Sequence, residues 1–200
     1  MGSDSGVKQK NIVILISGGG SNMRAIVQAS RRGGWARRYG AEVRAVISNK
    51  TNAGGLAWAH AEGLHTAAMD HKAYDSREAF DAAMMAQIDR FEPALVVLAG
   101  FMRILTPKFV AHFAGRLVNI HPSLLPAFPG LDTHQRAIDA GCRFAGCTVH
   151  RVTEQLDHGE ILDQAVVPVL PGDSADALAQ RVLSQEHHLF PTVIERLIAE

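Results

Sequence analysis

The chain has 200 residues, of which 47% are hydrophobic and 20% are charged, so it can bury a substantial core and is not a disordered polymer. Lys and Arg together number 20, as do Asp and Glu, and this balance provides no field that would hold the protein on nucleic acid or an anionic membrane. The longest apolar stretch, within Pro93–Met102, stops at Arg103 and is too short to span a membrane. The two cysteines, Cys142 and Cys147, are too few for a disulfide scaffold. We therefore expect a cytoplasmic protein with small-molecule partners.

The first two-thirds of the chain alternates predicted strands with predicted helices. Five runs have the apolar or β-branched composition of strands: residues 11–16, 42–48, 64–69, 94–99 and 117–120. Helical patterns separate them at residues 23–30 and 56–62, at a longer segment that ends near 91, and after 106. This alternation predicts an α/β fold, a Rossmann-like, mostly parallel sheet with helices on both faces. Residues 1–10 are expected to form a flexible leader and residues 11–200 a single domain.

Helix caps are predicted at several points. Ser21 and Asn22 can cap the first helix, and Asp75 begins a variant of the capping box before the long amphipathic helix. Thr106 and Pro107 form an N-cap and N1 pair for the next helix.

The last quarter of the chain has a different pattern. The segments FAGCTVHRV and ILDQAVVPV have no helix signal between them, which predicts antiparallel edge strands. Asp173 and Ser174 precede a final helix, which Pro191 is expected to kink or split.

The glycine-rich segment SGGGSN, residues 17–22, follows the first predicted strand and precedes a helix. Backbone N–H groups at such a turn can bind a phosphate. The third glycine of the dinucleotide motif is missing, because Met23 stands there, so a mononucleotide fits better than a dinucleotide. The alternative is a tight strand-to-helix turn without a ligand.

A second group of polar residues follows the fifth predicted strand. Asn119 and His121 are two residues apart, so in an extended backbone their side chains lie on one face. An amide can donate to an oxyanion, and an imidazole can exchange a proton near neutral pH. Asp157, in the connection between the two last strands, would favour the protonated ring and fix its tautomer if it lay beside His121. Alternatively, these are ordinary polar groups at a strand end and a turn.

Taken together, these motifs resemble the glycinamide ribonucleotide formyltransferase family, folate-dependent enzymes of purine biosynthesis. The resemblance extends from Ile12 to Ile194, and its motifs are SGGGSN (17–22), DSREAFD (75–81), LAGFMRILTP (98–107), NIHPSLLPAFPG (119–130), LDHG (156–159), and GDS with QEHHLFP (172–191).

The resemblance implies a role for individual residues. The ribonucleotide would bind through its phosphate and ribose at Gly20, Ser21, Asn22, Met23, Arg24 and Glu186. The co-substrate 10-formyltetrahydrofolate would contact Arg77, Met102, Arg103, Ile104, Leu105, Val110 and Asn119. Asn119, His121 and Asp157 would be catalytic, with no metal taking part.

Three positions depart from the family pattern: Asp132, His158 and Glu160.

Two other functions fit the same residues. A formyltetrahydrofolate hydrolase would use water in place of the amine, and a non-catalytic mononucleotide-binding module would use the glycine loop alone. The sequence does not fix the oligomeric state, and a homodimer is one arrangement that it allows.

Overall fold

A computed structural model describes residues 9–200 of the chain. The strands are β1 (Lys10–Ile16), β2 (Ala41–Ser48), β3 (His65–Ala68), β4 (Pro93–Leu98), β5 (Leu117–His121), β6 (Phe144–Arg151) and β7 (Ile161–Pro168). The helices are α1 (Ser21–Arg32), α2 (Trp35–Tyr39), α3 (Gly54–Ala61), α4 (Arg77–Asp89), α5 (Pro107–His112), α6 (Thr133–Asp139) and α7 (Ala175–Ala199). A short 3₁₀ turn covers His71–Ala73. No helix in this part of the chain is long and apolar enough to cross a membrane.

The strands form one seven-stranded sheet in the order β3-β2-β1-β4-β5-β6-β7. Strands β1 to β5 are parallel to one another, whereas β6 is antiparallel to both β5 and β7. The predicted fold class is therefore confirmed, with β7 at the sheet edge and β6 inside it. The order reverses at β1, which lies between β2 and β4, and ligands of such sheets bind beyond the carboxyl ends of the strands at this point.

The sheet is buried on both faces. Along β1, Ile12, Ile14 and Ile16 belong to the core cluster that includes residues of α1 and α7. The alternate residues Val13 and Leu15 belong to the opposite cluster, which includes residues of α4 and α5. An uninterrupted apolar strand is typical of a parallel sheet covered by helices on each side, and this covering holds the strand ends rigidly in place.

Two predicted N-caps are wrong. The first helix begins at Ser21 with the left-handed Gly20 as its N-cap and no side-chain cap, so Asn22 already lies within the helix, where its Nδ2 donates to Glu186. The cap of α4 is Ser76, not Asp75: its backbone is extended, and its Oγ accepts from Ala79 N at 3.0 Å. Thr106 and Ser174 do cap α5 and α7.

Pro191 does not split α7, which continues as one helix to Ala199. The neighbouring residues Phe190, Val193 and Ile194 are fully buried in the core, and this packing holds the helix together on both sides of the proline. Most of the predicted leader, residues 1–8, lies outside the described residues, and Lys10 is already part of β1.

Candidate active site

The glycine loop between β1 and α1 has a backbone that only glycine adopts readily at its last position. Gly20 has a φ of 70°, and a Cβ there would lie 2.8 Å from the side chain of Met23. In contrast, a Cβ at Gly18 or Gly19 would meet no atom within 4 Å, so the loop borders open space. Because no side chain caps α1, its first N–H groups can bind an anion in that space.

Asn22 and Glu186 form a buried pair beside the glycine loop. The Nδ2 of Asn22, on α1, donates to the Oε2 of Glu186, on α7, at 2.6 Å. Glu186 is only 7% exposed, and burial raises its pKa above the ordinary value, while the Asn22 hydrogen bond and the charge of His121 act in the opposite direction. This pair joins the loop to α7, and the loop follows β1, whose carboxyl end lies at the same edge of the sheet as that of β5.

The other residues predicted to hold the ribonucleotide are less closely grouped. Ser21 is the exposed first residue of α1, and Met23 is fully buried in the core below the loop. The guanidinium of Arg24 lies 5.4 Å from the ring of Trp58, in a cation–π arrangement with α3.

Asn119, His121 and Asp157 meet at the end of β5. The Nε2 of His121 lies 3.0 Å from the carbonyl oxygen of Phe128, which can only accept, so Nε2 carries a proton. The Nδ1 of the same ring lies 3.5 Å from Oδ2 of Asp157. Asp157 adopts a left-handed φ of 51° and accepts from Gly130 N at 2.8 Å, which aims its carboxylate at the ring. The second proton of the imidazole would thus reside on Nδ1, facing the carboxylate.

The sequence reasoning missed His150, which contacts Asn119. The two residues are directly opposite each other on β5 and β6, and Asn119 Nδ2 lies 3.2 Å from His150 Nε2. Because His150 Nδ1 donates to the carbonyl of Arg151 at 2.9 Å, the neutral ring leaves Nε2 as an acceptor. His150 is 2% exposed, and burial lowers its pKa, which favours the neutral form. The sequence signal for His150 was its position in the predicted strand segment TVHRV, but only the strand register shows that Asn119 is its partner.

The residues predicted to receive folate divide into two groups. Met102 and Ile104 are 71% and 59% exposed, and they belong to the segment of residues 101–106 that joins β4 to α5. Leu105 and Val110 instead pack with the core cluster around α4 and α5. Arg77 is the exposed first residue of α4. Exposed apolar side chains in a loop at the sheet's carboxyl edge can form one wall of a ligand site.

Arg103 differs from its neighbours in the segment. Its guanidinium lies 4.4 Å over the ring of Phe80, and its Nε lies 3.9 Å from Oδ1 of Asp81. Both contacts are with α4, so Arg103 points away from the side on which Met102 and Ile104 are exposed.

None of the three departures from the family pattern adds a contact to Asn119 or His121. Asp132 is the N-cap of α6, with a left-handed φ of 54° and no side-chain cap. Glu160 pairs with Arg151 at 3.0 Å on the surface. Within residues 9–200, no group of three or more His, Cys, Asp and Glu side chains is arranged to hold a metal ion.

The chain is similar to known proteins over almost its whole length. The family model described as formyl transferase matches residues 10–194. The phosphoribosylglycinamide formyltransferase of Escherichia coli is 51% identical over 184 residues, which cover 92% of this chain and 85% of that protein. A human trifunctional purine biosynthetic protein, adenosine-3, is 41% identical over 94% of this chain and 18% of its own length.

Solved structures agree with these similarities. The crystal structure of phosphoribosylglycinamide formyltransferase from Brucella melitensis superimposes with a TM-score of 0.89 at 51% identity, covering 96% of this chain and 97% of that one. The shared fold therefore includes β6, β7 and the connections that carry the site residues, and the chain belongs to the formyl transferase family.

Proposed function

We propose that this protein transfers the formyl group of 10-formyltetrahydrofolate to the amine of glycinamide ribonucleotide, a step of purine biosynthesis. The observation that carries this proposal is that the glycine loop with Glu186 and the Asn119–His121–Asp157 group both lie at the carboxyl edge of the parallel part of one sheet. The names of the most similar relatives support the same substrate and reaction.

The phosphate of the ribonucleotide would bind at the loop formed by Gly20, Ser21 and Asn22 and at the first N–H groups of α1, up to that of Met23. The N–H of Arg24 donates to the carbonyl of Gly20 at 2.9 Å, so Arg24 would contribute through its guanidinium. Glu186 would accept hydrogen bonds from the ribose hydroxyls with the oxygen that Asn22 does not use. This orientation would direct the glycyl amine towards His121 at the end of β5.

The folate would bind on the other side of the reacting centre. Met102 and Ile104 offer the exposed apolar surface for the pterin ring, with Arg103, Leu105 and Val110 behind them. Arg77, at the exposed start of α4, would attract the negatively charged glutamate tail.

In the reaction, the neutral amine attacks the formyl carbon and the carbonyl oxygen becomes an oxyanion. Asn119 donates one N–H to His150 and keeps the other for this oxygen. Since Nε2 of His121 is used by Phe128, the Nδ1–H of the protonated ring would be the second donor. Its nitrogen lies 3.5 Å from Oδ2 of Asp157, longer than a strong charge-assisted hydrogen bond, so this proton would be shared between the carboxylate and the oxyanion. A proton leaves the amine, and the folate nitrogen gains one as its bond to carbon breaks. His121, or a water held by Asp157, would carry this proton.

The test is an assay of purified protein with glycinamide ribonucleotide and 10-formyltetrahydrofolate, followed by detection of formylated product. His121→Ala is the control, and it should lower turnover at least a hundredfold, as expected for the loss of an oxyanion donor. Release of formate without the ribonucleotide would instead indicate the hydrolase. Binding of the ribonucleotide with no folate-dependent product would indicate the non-catalytic module.

Other features of the protein stay predictions from the sequence. These are a single domain over residues 11–200, a cytoplasmic location, the absence of nucleic-acid and metal partners, and a homodimer as one allowed assembly.

A further inference from the structure

The segment of residues 101–106 has no regular secondary structure, although it carries the exposed side chains of Met102 and Ile104. A loop of this kind does not hold its shape through its own backbone hydrogen bonds. Two of its N–H groups instead donate to side chains of other elements. Met102 N donates to Ser17 Oγ at 2.7 Å, and Thr106 N donates to Asp81 Oδ2 at 2.7 Å.

Ser17 lies at the junction of three strand ends. Its hydroxyl accepts from Met102 N and donates to Oδ1 of Asn49, which follows β2, at 2.6 Å. Its backbone N–H donates to the carbonyl of Gly100 at 3.0 Å. Ser17 and Asn49 are buried, so water cannot readily replace either hydrogen bond. One hydroxyl therefore joins the ends of β1 and β2 to the 101–106 segment.

Asp81 holds the other end of the segment from α4. This side chain is 1% exposed, and a buried carboxylate is costly unless other groups compensate its charge. Both groups that face it come from the segment. Thr106 N donates to Oδ2, and the guanidinium of Arg103 forms an ion pair without a hydrogen bond, since its Nε is 3.9 Å from Oδ1. A carboxylate compensated in this way fixes the segment relative to α4 and keeps Arg103 over Phe80.

We propose that Ser17 and Asp81 are positioning residues that hold the 101–106 segment in the shape that receives the formyl donor. The proposal rests on the proposed function, since it takes that segment as the folate wall. Neither side chain reaches the reacting atoms, because both are occupied by the loop. Releasing either contact should therefore weaken donor binding, while the formyl transfer at Asn119 and His121 proceeds once the donor is bound.

The experiment compares steady-state kinetics of the wild type, Ser17→Ala and Asp81→Ala, with both substrates varied. Each variant should raise the KM for 10-formyltetrahydrofolate by roughly 5- to 50-fold, the effect of leaving one buried group without its partner, with kcat within about threefold of the wild type. Ser17→Thr, which keeps the hydroxyl, should restore most of the donor KM. The matched control is Ser174→Ala, which removes a hydroxyl that accepts from a backbone N–H at the cap of α7 and should leave the donor KM unchanged.

The results separate this proposal from the proposed function. Absence of formyl transfer by the wild type would refute the function itself. Wild-type transfer combined with an unchanged donor KM in both variants, or with a fall in kcat alone, would overturn the positioning role. A change in only one variant would overturn the assignment of the other residue.

If a variant fails to fold, hydrogen exchange of the wild type tests whether Ser17 and Asp81 hold the 101–106 segment. The amides of Met102 and Thr106 should exchange slowly, because their acceptors are buried side chains. Rapid exchange at both amides would overturn the proposal.

Discussion

The contact between His150 and Asn119 leads to a prediction about catalysis. It distinguishes a His150 that orients the Asn119 amide from a His150 that contacts the substrate itself. Asn119→Ala removes a proposed oxyanion donor, and such losses lower kcat by about 100- to 1,000-fold. His150→Ala leaves the donor in place but removes its acceptor, 3.2 Å away, so one N–H of the half-buried Asn119 loses its partner. Loss of such a hydrogen bond costs about 1 kcal/mol, and if that cost falls on the transition state, kcat should drop roughly 5-fold.

The double variant tests whether His150 acts through Asn119. If it does, His150→Ala should have almost no further effect on kcat once Asn119 is already Ala, because no amide remains to be oriented. The assay is single-turnover formyl transfer with saturating substrates. His150→Gln, whose amide oxygen can still accept, should retain more activity than His150→Ala.

The result that would refute this reasoning is an equal loss in both backgrounds, since independent effects multiply. Thermal unfolding of each variant should accompany the kinetics, because His150 is buried and its removal leaves a cavity in β6.

Three further predictions concern other contacts of the fold and site. Asp157→Asn keeps an acceptor for Gly130 N but loses the charge beside His121 Nδ1, so turnover should fall about 100-fold with little change in Tm, measured by formyl transfer and thermal unfolding. Glu186→Gln should stabilise the protein at neutral pH: the raised pKa of Glu186 means that its folded form favours the protonated acid, so wild-type stability is lost as pH rises through the folded pKa. The difference in Tm should disappear below the ordinary Glu pKa of 4.5, and an equal difference for the exposed control Glu154→Gln would contradict this explanation. Gly146→Ala should lower stability by about 1 to 3 kcal/mol in urea unfolding, because its Cβ would meet the carbonyl oxygen of Ala165 on the adjacent strand β7; unchanged stability would mean that the β6–β7 pairing differs.

The sequence predicted most of the fold because its signals are local. Five strand runs and the intervening helices follow from apolar periodicity, and Thr106 and Ser174 occupy the cap positions expected from their type. The wrong caps have a physical cause in tertiary structure. Asn22 is a good capping residue, but α1 begins one residue before it, after the left-handed Gly20, and the Asn22 side chain is oriented by its Nδ2 hydrogen bond to a carboxylate on α7, 164 positions away. Propensity within a short window cannot anticipate such a partner.

The sequence indicated which residues belong to the candidate site, but not which atoms contact each other. Asn119 and His121 were identifiable because alternate residues of a strand share a face, and Asp157 because an acid is a common partner of an imidazole. The sequence did not show that Phe128 would occupy Nε2 of the ring, or that Leu105 and Val110 would pack inward. These contacts depend on how loops and helices pack against the sheet, and the spacing of residues along the chain does not determine that packing.

The antiparallel strand β6 gives the proposed reaction centre parts of different rigidity. Residues directly opposite on antiparallel strands are held by the register, so Asn119 and His150 are fixed by the sheet itself. Asp157 instead lies in the connection between β6 and β7 and is tied to the site by Gly130 N. The proposed oxyanion donor, which must be aimed accurately, is thus on a strand, while the acid proposed to align His121 is on a loop, where adjustment as substrates enter is easier. On this account, changes in the 152–160 connection should alter the pH dependence of turnover before they alter the aim of Asn119.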